Sequence, residues 1–330
     1  MSNTAKALVV REQNNTISAA VEQLPIADIG GGEVLLRVHY SSINYKDMLA
    51  ATGAGKIMKD FPTIAGIDAA GEVAESRDSR FKEGDKVVIN GCGLGESHDG
   101  GLAEYARVPA DWLVPLPDGL SLFDAMAIGT AGFTAGLATL RMFDNGLKLD
   151  NGPVAVTGAT GGVGSLAIDM LSGLGFEVHA ITGKTQASDY LQRLGAAEVI
   201  TRDSIDLPGS PMENARWAGA IDNLGGQLLS WLTRTAKPWT PVASIGLAAA
   251  PKFESFVFPF ILRGVSLLGV SSTNCPMPLR KETWNRLASD FRPTRSNEAA
   301  IKTVRIDELS QVFDAMKKGR AIGRTVVDLT

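Results

Sequence analysis

The chain has 330 residues, 45% hydrophobic and 21% charged, with a formal net charge of −4. That composition suits two globular cores and excludes a nucleic-acid surface, because no basic run occurs and the aromatics, 6% of the chain, do not interleave with one. Only two cysteines, Cys92 and Cys275, are present, which excludes a disulfide framework and a thiolate cluster for structural zinc.

Residues 1–10 contain no signal-peptide hydrophobic segment, and no stretch reaches the roughly 18 apolar residues of a membrane span, so a cytoplasmic location is expected. Residues 5–10 and 34–40 read as strands, separated by a turn-rich stretch with Gly30, Gly31 and Gly32. Pro62, Gly66 and Gly71 punctuate small apolar residues, and Gly84, Asp85 and Lys86 turn into a strand at 87–90. The first third is therefore mostly β. Residues 122–140 read as a helix in which Gly129, Gly132 and Gly136 permit close packing.

An apolar run at 154–156 passes directly into Thr157, Gly158, Ala159, Thr160, Gly161, Gly162, Val163 and Gly164. Val163, Leu166, Ala167, Met170, Leu171 and Leu174 then recur at helical spacing, Gly175 ends the helix, and a second strand follows at 176–181. Ala159, Gly161 and Gly164 match the dinucleotide fingerprint with alanine first. Unpaired amides at the helix start would take the pyrophosphate. An acid that accepts from a ribose 2′-hydroxyl is expected about 20 residues on, but Thr182, Gly183 and Lys184 stand there, with Arg202 just after the next apolar run. A carboxylate would repel a 2′-phosphate, whereas a hydroxyl, an amide and cations can hold one, so the reading is NADPH. Ordinary solvated charges are the alternative.

Strands at 217–222, 241–245 and 265–270 and a helix at 227–235 continue the alternation, giving six strands of a doubly wound parallel sheet with 265–270 at its edge. Trp217, Trp231 and Trp239 read as core or interface residues. Helices follow at 279–291 and 306–318, the second with Leu309, Val312, Phe313 and Met316 on one face. A last strand at 325–329 is expected to return to the N-terminal β region, which makes the nucleotide domain (127–270) an insertion in a catalytic domain formed by 1–126 and 271–330.

From end to end the chain resembles the medium-chain dehydrogenase/reductase superfamily: Asn44 to Asp47; Gly66, Asp68 and Gly71; Gly84, Asp85 and Val87; Gly100, Gly101, Ala103, Glu104 and Tyr105; residues 129–135; and the fingerprint. Its zinc enzymes carry an early catalytic Cys, a Gly-His-Glu motif and four close cysteines. Here Gly66, Ile67 and Asp68 stand in the motif, and His39, His98 and His179 are scattered, so no metal site is expected. Within the zinc-free members the chain is similar to the acrylyl-CoA reductases of the AcuI and YhdH type, on residues 93–107, 111–114 and 259–263 and on Gly269, Val270 and Ser272.

That resemblance implies a GroES-like mostly-β catalytic domain beside the Rossmann domain, and NADPH-dependent reduction of acrylyl-CoA to propionyl-CoA. It implies cofactor contacts at Tyr45, Thr182 to Lys184, Arg202, Leu247, Ile261 and Ser272, and a homodimer that pairs two sheet edges. The reaction needs a hydride to the β-carbon, donors for an enolate oxygen and a proton for the α-carbon. Tyr45 is the candidate acid, or else it only packs on the nicotinamide ribose and water supplies the proton. Thr130, with Gly132 and Thr134, is expected to line the nicotinamide side of a cleft. Arg324 is a candidate for the thioester or the CoA phosphates, or else a solvated arginine. Lys56, Lys59 and Arg280 are weaker candidates of the same kind. Asn44 and Asp47 are expected to fix their loop, and neither cysteine is expected to act as a nucleophile. Two other functions stay open: a quinone or enone reductase, and an NADPH-binding protein with little turnover.

Overall fold

A computed structural model describes residues 3–207, 209–296 and 300–330. Strand β1 (Thr4–Gln13) turns at Asn14 and Asn15, with φ of 51° and 60°, into β2 (Thr16–Pro25), and the two pair antiparallel from Thr4↔Pro25 to Gln13↔Thr16. Asparagine tolerates the left-handed conformation that a two-residue hairpin turn requires. The sequence reading passed over β2 because its inward positions are partly exposed; the Asn-Asn pair was the available signal. β3 (Val34–Ile43), α1 (Tyr45–Thr52), β4 (Thr63–Ile64), β5 (Asp68–Ser76), β6 (Lys86–Asn90), β7 (Tyr105–Val108) and β8 (Val114–Pro115) follow.

The helix α2 (Leu122–Asp144) leads into β9 (Val154–Thr157), α3 (Gly162–Gly173), β10 (Val178–Thr182), α4 (Ser188–Arg193), β11 (Glu198–Thr201), β12 (Gly219–Asp222) and α5 (Gly226–Arg234). Next come β13 (Pro241–Ser244), α6 (Phe258–Arg263), β14 (Ser266–Gly269), α7 (Met277–Leu287), β15 (Ile301–Arg305), α8 (Leu309–Lys317) and β16 (Arg324–Asp328).

Two compact units result. The first comprises Met1–Thr130, Ser272–Lys281 and Ile301–Thr330, and the second Ala131–Ser271 and Glu282–Ala300. In the first, a sheet runs β15-β16-β3-β5-β6-β8, with β7 also on β3, and a smaller sheet runs β2-β1-β4. The returning strand β16 pairs antiparallel with β3, from Thr325↔Ile43 to Asp328↔Tyr40. β15, unforeseen in the sequence, pairs parallel with β16. Leu36, Val38, Val87 and Ile89 form the core with Leu309, Val312 and Phe313, which are the apolar face foreseen for α8.

In the second unit all six strands are parallel, in the order β11-β10-β9-β12-β13-β14, the doubly wound sheet that the alternation predicts. Burial follows position. β9, β10 and β12 are buried at every residue, whereas the edge strands β11 and β14 are partly exposed. Trp217 and Trp231 meet edge-on at 5.6 Å in the core beside Leu228 and Leu232. Trp239 is different: it is 78% exposed, has φ of 62° and lies over Gly264. The stretch Glu282–Ala300, expected in the catalytic domain, joins the second unit, where the tilted rings of Trp284 and Phe133 lie 5.9 Å apart and Leu287 lies over Gly136.

α2 is, against the sequence expectation, long and apolar enough to cross a membrane, with mean hydropathy 1.2 over an 18-residue stretch, yet 83% of that stretch is buried within the protein. A core helix accounts for both facts. It breaks at Gly129, where φ is 50° and ψ −159°. A Cβ at Gly129 would lie 2.5 Å from the Arg324 guanidinium and 2.8 Å from Asp68 Oδ2. Gly129→Ala should therefore cost more than about 1 kcal/mol, read as a lowered urea midpoint. An unchanged midpoint would show that the kink relaxes freely.

Candidate active site

The strand-to-helix turn after β9 has its left-handed residue at Gly158 (φ 58°), one position before the fingerprint's first residue. That is why Ala159 is tolerated there. Gly164 permits close packing, since a Cβ on it would lie 2.5 Å from the Gly158 carbonyl oxygen and 2.8 Å from Ala159 Cα. Gly161 has only one close neighbour to such a Cβ, the Gly158 oxygen at 3.3 Å. Its bareness is thus not required by packing within the turn and leaves room on its outer side. Gly161 is the N-cap of α3 and no side chain caps the helix, so the first amides, at Gly162 and Val163, are available to an anion. Thr160 is buried in the turn. Tyr190 donates to Ser165 Oγ (2.8 Å), and Ser165 Oγ to the Ala159 carbonyl (3.3 Å), which braces the turn from below.

At the reversal of strand order, Thr157 Oγ1 donates to Asp222 Oδ1 (2.6 Å), and Asn223 Nδ2 donates to the Thr157 carbonyl (2.7 Å). This clip ties the ends of β9 and β12. Burial pushes the Asp222 carboxyl up from its ordinary pKa.

β10 and β11 are neighbours, with Thr182 opposite Thr201. The turn after β10 is closed by the Lys184 amide donating to Thr182 Oγ1 (3.0 Å). A Cβ on Gly183 would lie 3.9 Å from the Arg202 guanidinium carbon, so Gly183, Lys184 and Arg202 share one corner. Burial lowers the Lys184 pKa, a cost that a bound anion would offset. No carboxylate stands in the Thr182–Lys184 turn. Leu247, 62% exposed, follows β13 at the same end of the sheet, its Cα close to Gly225. Ile261 lies instead on the exposed face of α6, which joins β14 through Gly264.

In the first unit, Tyr45 opens α1 and is 49% exposed. Asn44, the N-cap, donates its backbone N–H to Asp47 Oδ2 (2.7 Å), while Asp47 Oδ1 accepts from the Ile67 amide (3.0 Å), so these residues do fix the loop. Asp68 is fully buried. Its Oδ2 accepts from Ser42 Oγ (2.5 Å), Asn44 Nδ2 (2.7 Å) and the Thr130 amide (2.9 Å), and its Oδ1 from Thr130 Oγ1 (2.6 Å).

Arg324 corrects the sequence reading on both counts. It is 3% exposed, neither solvated nor presented to an acyl-CoA. Its guanidinium donates to the carbonyls of Ile43 (2.9 Å) and Ala127 (3.3 Å), to Asn44 Oδ1 (3.2 Å) and to Ser42 Oγ (2.7 Å), 3.9 Å from Asp68 Oδ2. Arg280 is corrected likewise: buried, it donates to the carbonyls of Asn90, Ser272 and Thr273. Ser272 is half-buried beside it, and Lys56 and Lys59 are exposed. Burial raises the pKa of both cysteines, away from a reactive thiolate. Among the described residues no group of three or more His, Cys, Asp or Glu side chains could hold a metal ion. Sequence reasoning missed Ser42 and the role of Asp68, whose only signal was an acid directly after Gly66 and Ile67.

The alcohol dehydrogenase GroES-like domain family matches residues 30–118. Acrylyl-CoA reductase AcuI of Ruegeria pomeroyi is 45% identical over 319 residues, 96% of each chain. YhfP of Bacillus subtilis, named for the quinone oxidoreductases, is 44% identical over 330 residues, all of both chains, and its crystal structure with NAD bound superposes with a TM-score of 0.96, covering 99% of this chain and 100% of its own. The structure of Escherichia coli K-12 YhdH with bound NADPH is 42% identical, covers 98% of this chain and 100% of its own, and gives a TM-score of 0.95.

Burial, reinforced by Asp68, raises the Asp47 pKa from 3.8 to about 7. The folded state then keeps a proton that the unfolded chain has already lost, so this group's contribution to stability falls as pH rises from about 4 to about 7. In Asp47→Asn an amide nitrogen would face one of two backbone donors, which lowers stability throughout. The decline in melting temperature between about pH 5 and about pH 7.5 should nevertheless be shallower than in the unaltered protein. Equal slopes would contradict the assignment.

Proposed function

Because this chain belongs to the medium-chain dehydrogenase/reductase superfamily, among the proteins of the AcuI and YhdH type, we propose that it reduces the carbon–carbon double bond of acrylyl-CoA, giving propionyl-CoA, with NADPH as the reductant. The observation that carries the cofactor choice is the corner of Gly183, Lys184 and Arg202 with no acid in its turn. NAD, present in the YhfP structure, has no 2′-phosphate for those cations to hold.

The cofactor, when bound, supplies a hydride from C4 of its nicotinamide. The amides at Gly162 and Val163 hold its pyrophosphate, bare Gly161 lets it approach, and Lys184 and Arg202 hold the 2′-phosphate. Leu247, Ile261 and Ser272 are further proposed contacts. In the substrate, the thioester carbonyl draws charge from the β-carbon, which takes the hydride, and the electron pair moves to the carbonyl oxygen as an enolate. Tyr45, exposed at the start of α1, donates to that oxygen or delivers the proton to the α-carbon. A second reading, reduction of a quinone or enone, has the name of YhfP in its favour.

We further propose a homodimer through the open edge at β14. That strand lacks a neighbour on one side among the described residues, and Leu267, Ile261, Leu262 and Trp239 leave apolar surface exposed there. Light scattering should give twice the chain mass of 34.8 kDa, and a monomeric mass would reject the pairing.

The function is tested by NADPH oxidation with acrylyl-CoA, crotonyl-CoA and a simple quinone side by side, repeated with NADH. Turnover of acrylyl-CoA with NADPH is expected. Lys184→Glu should raise the NADPH KM at least about tenfold and leave NADH use nearly unchanged, as expected for a lost charge-assisted contact. Tyr45→Phe should lower kcat at least about tenfold if the phenol is the acid. Activity confined to the quinone would replace the acyl-CoA assignment with the second reading.

A further inference from the structure

Four hydrogen bonds end on the Asp68 carboxylate, and every partner is a donor: the Ser42 hydroxyl, the Asn44 amide nitrogen, the Thr130 backbone N–H and the Thr130 hydroxyl. An ionised carboxylate is the only side chain of this size that accepts at both ends. Two of these partners sit where the proposed chemistry needs precision. Asn44 is the N-cap of α1, one residue before Tyr45, and Thr130 is the first residue after the break in α2 at Gly129. The Thr130 hydroxyl gives its hydrogen to Asp68 Oδ1, so the carboxylate sets its orientation.

We propose that Asp68 is a positioning residue, one carboxylate that sets both the helix start carrying Tyr45 and the orientation of the Thr130 hydroxyl at the break in α2. This rests on the reading of Tyr45 above. Gly129 makes the arrangement possible, since any side chain there would enter the space between Asp68 and Arg324. Arg324 holds the other side of the same residues, through Ser42 Oγ, Asn44 Oδ1 and the Ala127 carbonyl. An asparagine at 68 keeps the shape but places an NH2 group against donors. If its oxygen keeps the three donors at Oδ2, the Thr130 hydroxyl must reverse and accept, and its hydrogen is freed.

The test compares Asp68→Asn and Thr130→Val, singly and together, with the unaltered protein. Hydrogen exchange by mass spectrometry is read on peptides covering 42–48, 127–133 and 157–165, NADPH dissociation constants by fluorescence titration, and kcat with whichever acceptor the unaltered protein turns over. Asp68→Asn should speed exchange in the first two peptides and leave the glycine turn at 157–165 protected. It should lower kcat at least tenfold while the NADPH dissociation constant changes less than threefold, and should raise the isotope effect with NADPH deuterated at C4. Thr130→Val should show part of this loss, and the double variant should be no slower than Asp68→Asn within twofold. Unchanged kcat, additive losses, or faster exchange spread equally over 157–165 would overturn the proposal. If Asp68→Asn does not fold, Thr130→Val alone decides: an unchanged kcat and isotope effect overturn it. The substrate reading fails separately, since it is judged from which acceptor the unaltered protein uses.

Discussion

Two buried carboxylates and one buried guanidinium lie within a few residues' reach of one another, and the middle of the first unit is arranged to satisfy them. Removing such groups from water is costly, most of all when they are charged, unless their hydrogen-bonding atoms are met. Here Asp47 takes two backbone amides, Asp68 takes four donors, and Arg324 takes two carbonyls, an amide oxygen and a hydroxyl. The supply comes from the end of β3, the start of α1, the entry to β5, the break in α2 and the start of β16. Four distant stretches of sequence, 42–47, 67–68, 127–130 and Arg324, are thereby fixed to one point, and Tyr45 and Thr130 lie within two of them.

The second unit solves a different problem with less chemistry. A parallel sheet flanked by helices needs only apolar strands and tight turns, and the strand ends at its switch point then gather amides and side chains. Gly158 carries the left-handed turn, Gly164 the close packing, and Thr157 with Asp222 the tie between the ends of β9 and β12. Charges are left for the corner of Lys184 and Arg202, where burial lowers the pKa of the ammonium.

This division explains what could be read from the sequence. The six parallel strands, the glycine turn and the amphipathic face of α8 rest on local patterns of period and glycine, and they were legible; the order of the strands was not. The role of Arg324 was not, because its partners lie up to 282 residues away and nothing near it marks burial. Asp68 was visible only as an acid in a family motif; its function depends on Thr130, 62 residues on. For Trp239 the structure excludes the core alternative, since its left-handed backbone turns the ring outward over Gly264. β2 was missed because small half-exposed residues blur the alternation and the Asn14-Asn15 turn lacks glycine.

The central claim is that a hydride reaches the β-carbon of an enoyl thioester while a proton from protein or water reaches the α-carbon. The direct measurement is a single turnover of acrylyl-CoA with NADPH deuterated at C4 in ordinary water, with the product analysed by mass spectrometry and NMR. The account predicts propionyl-CoA with one deuterium, on the β-carbon. Deuterium on the α-carbon, or no labelled propionyl-CoA while a quinone is reduced, would contradict it.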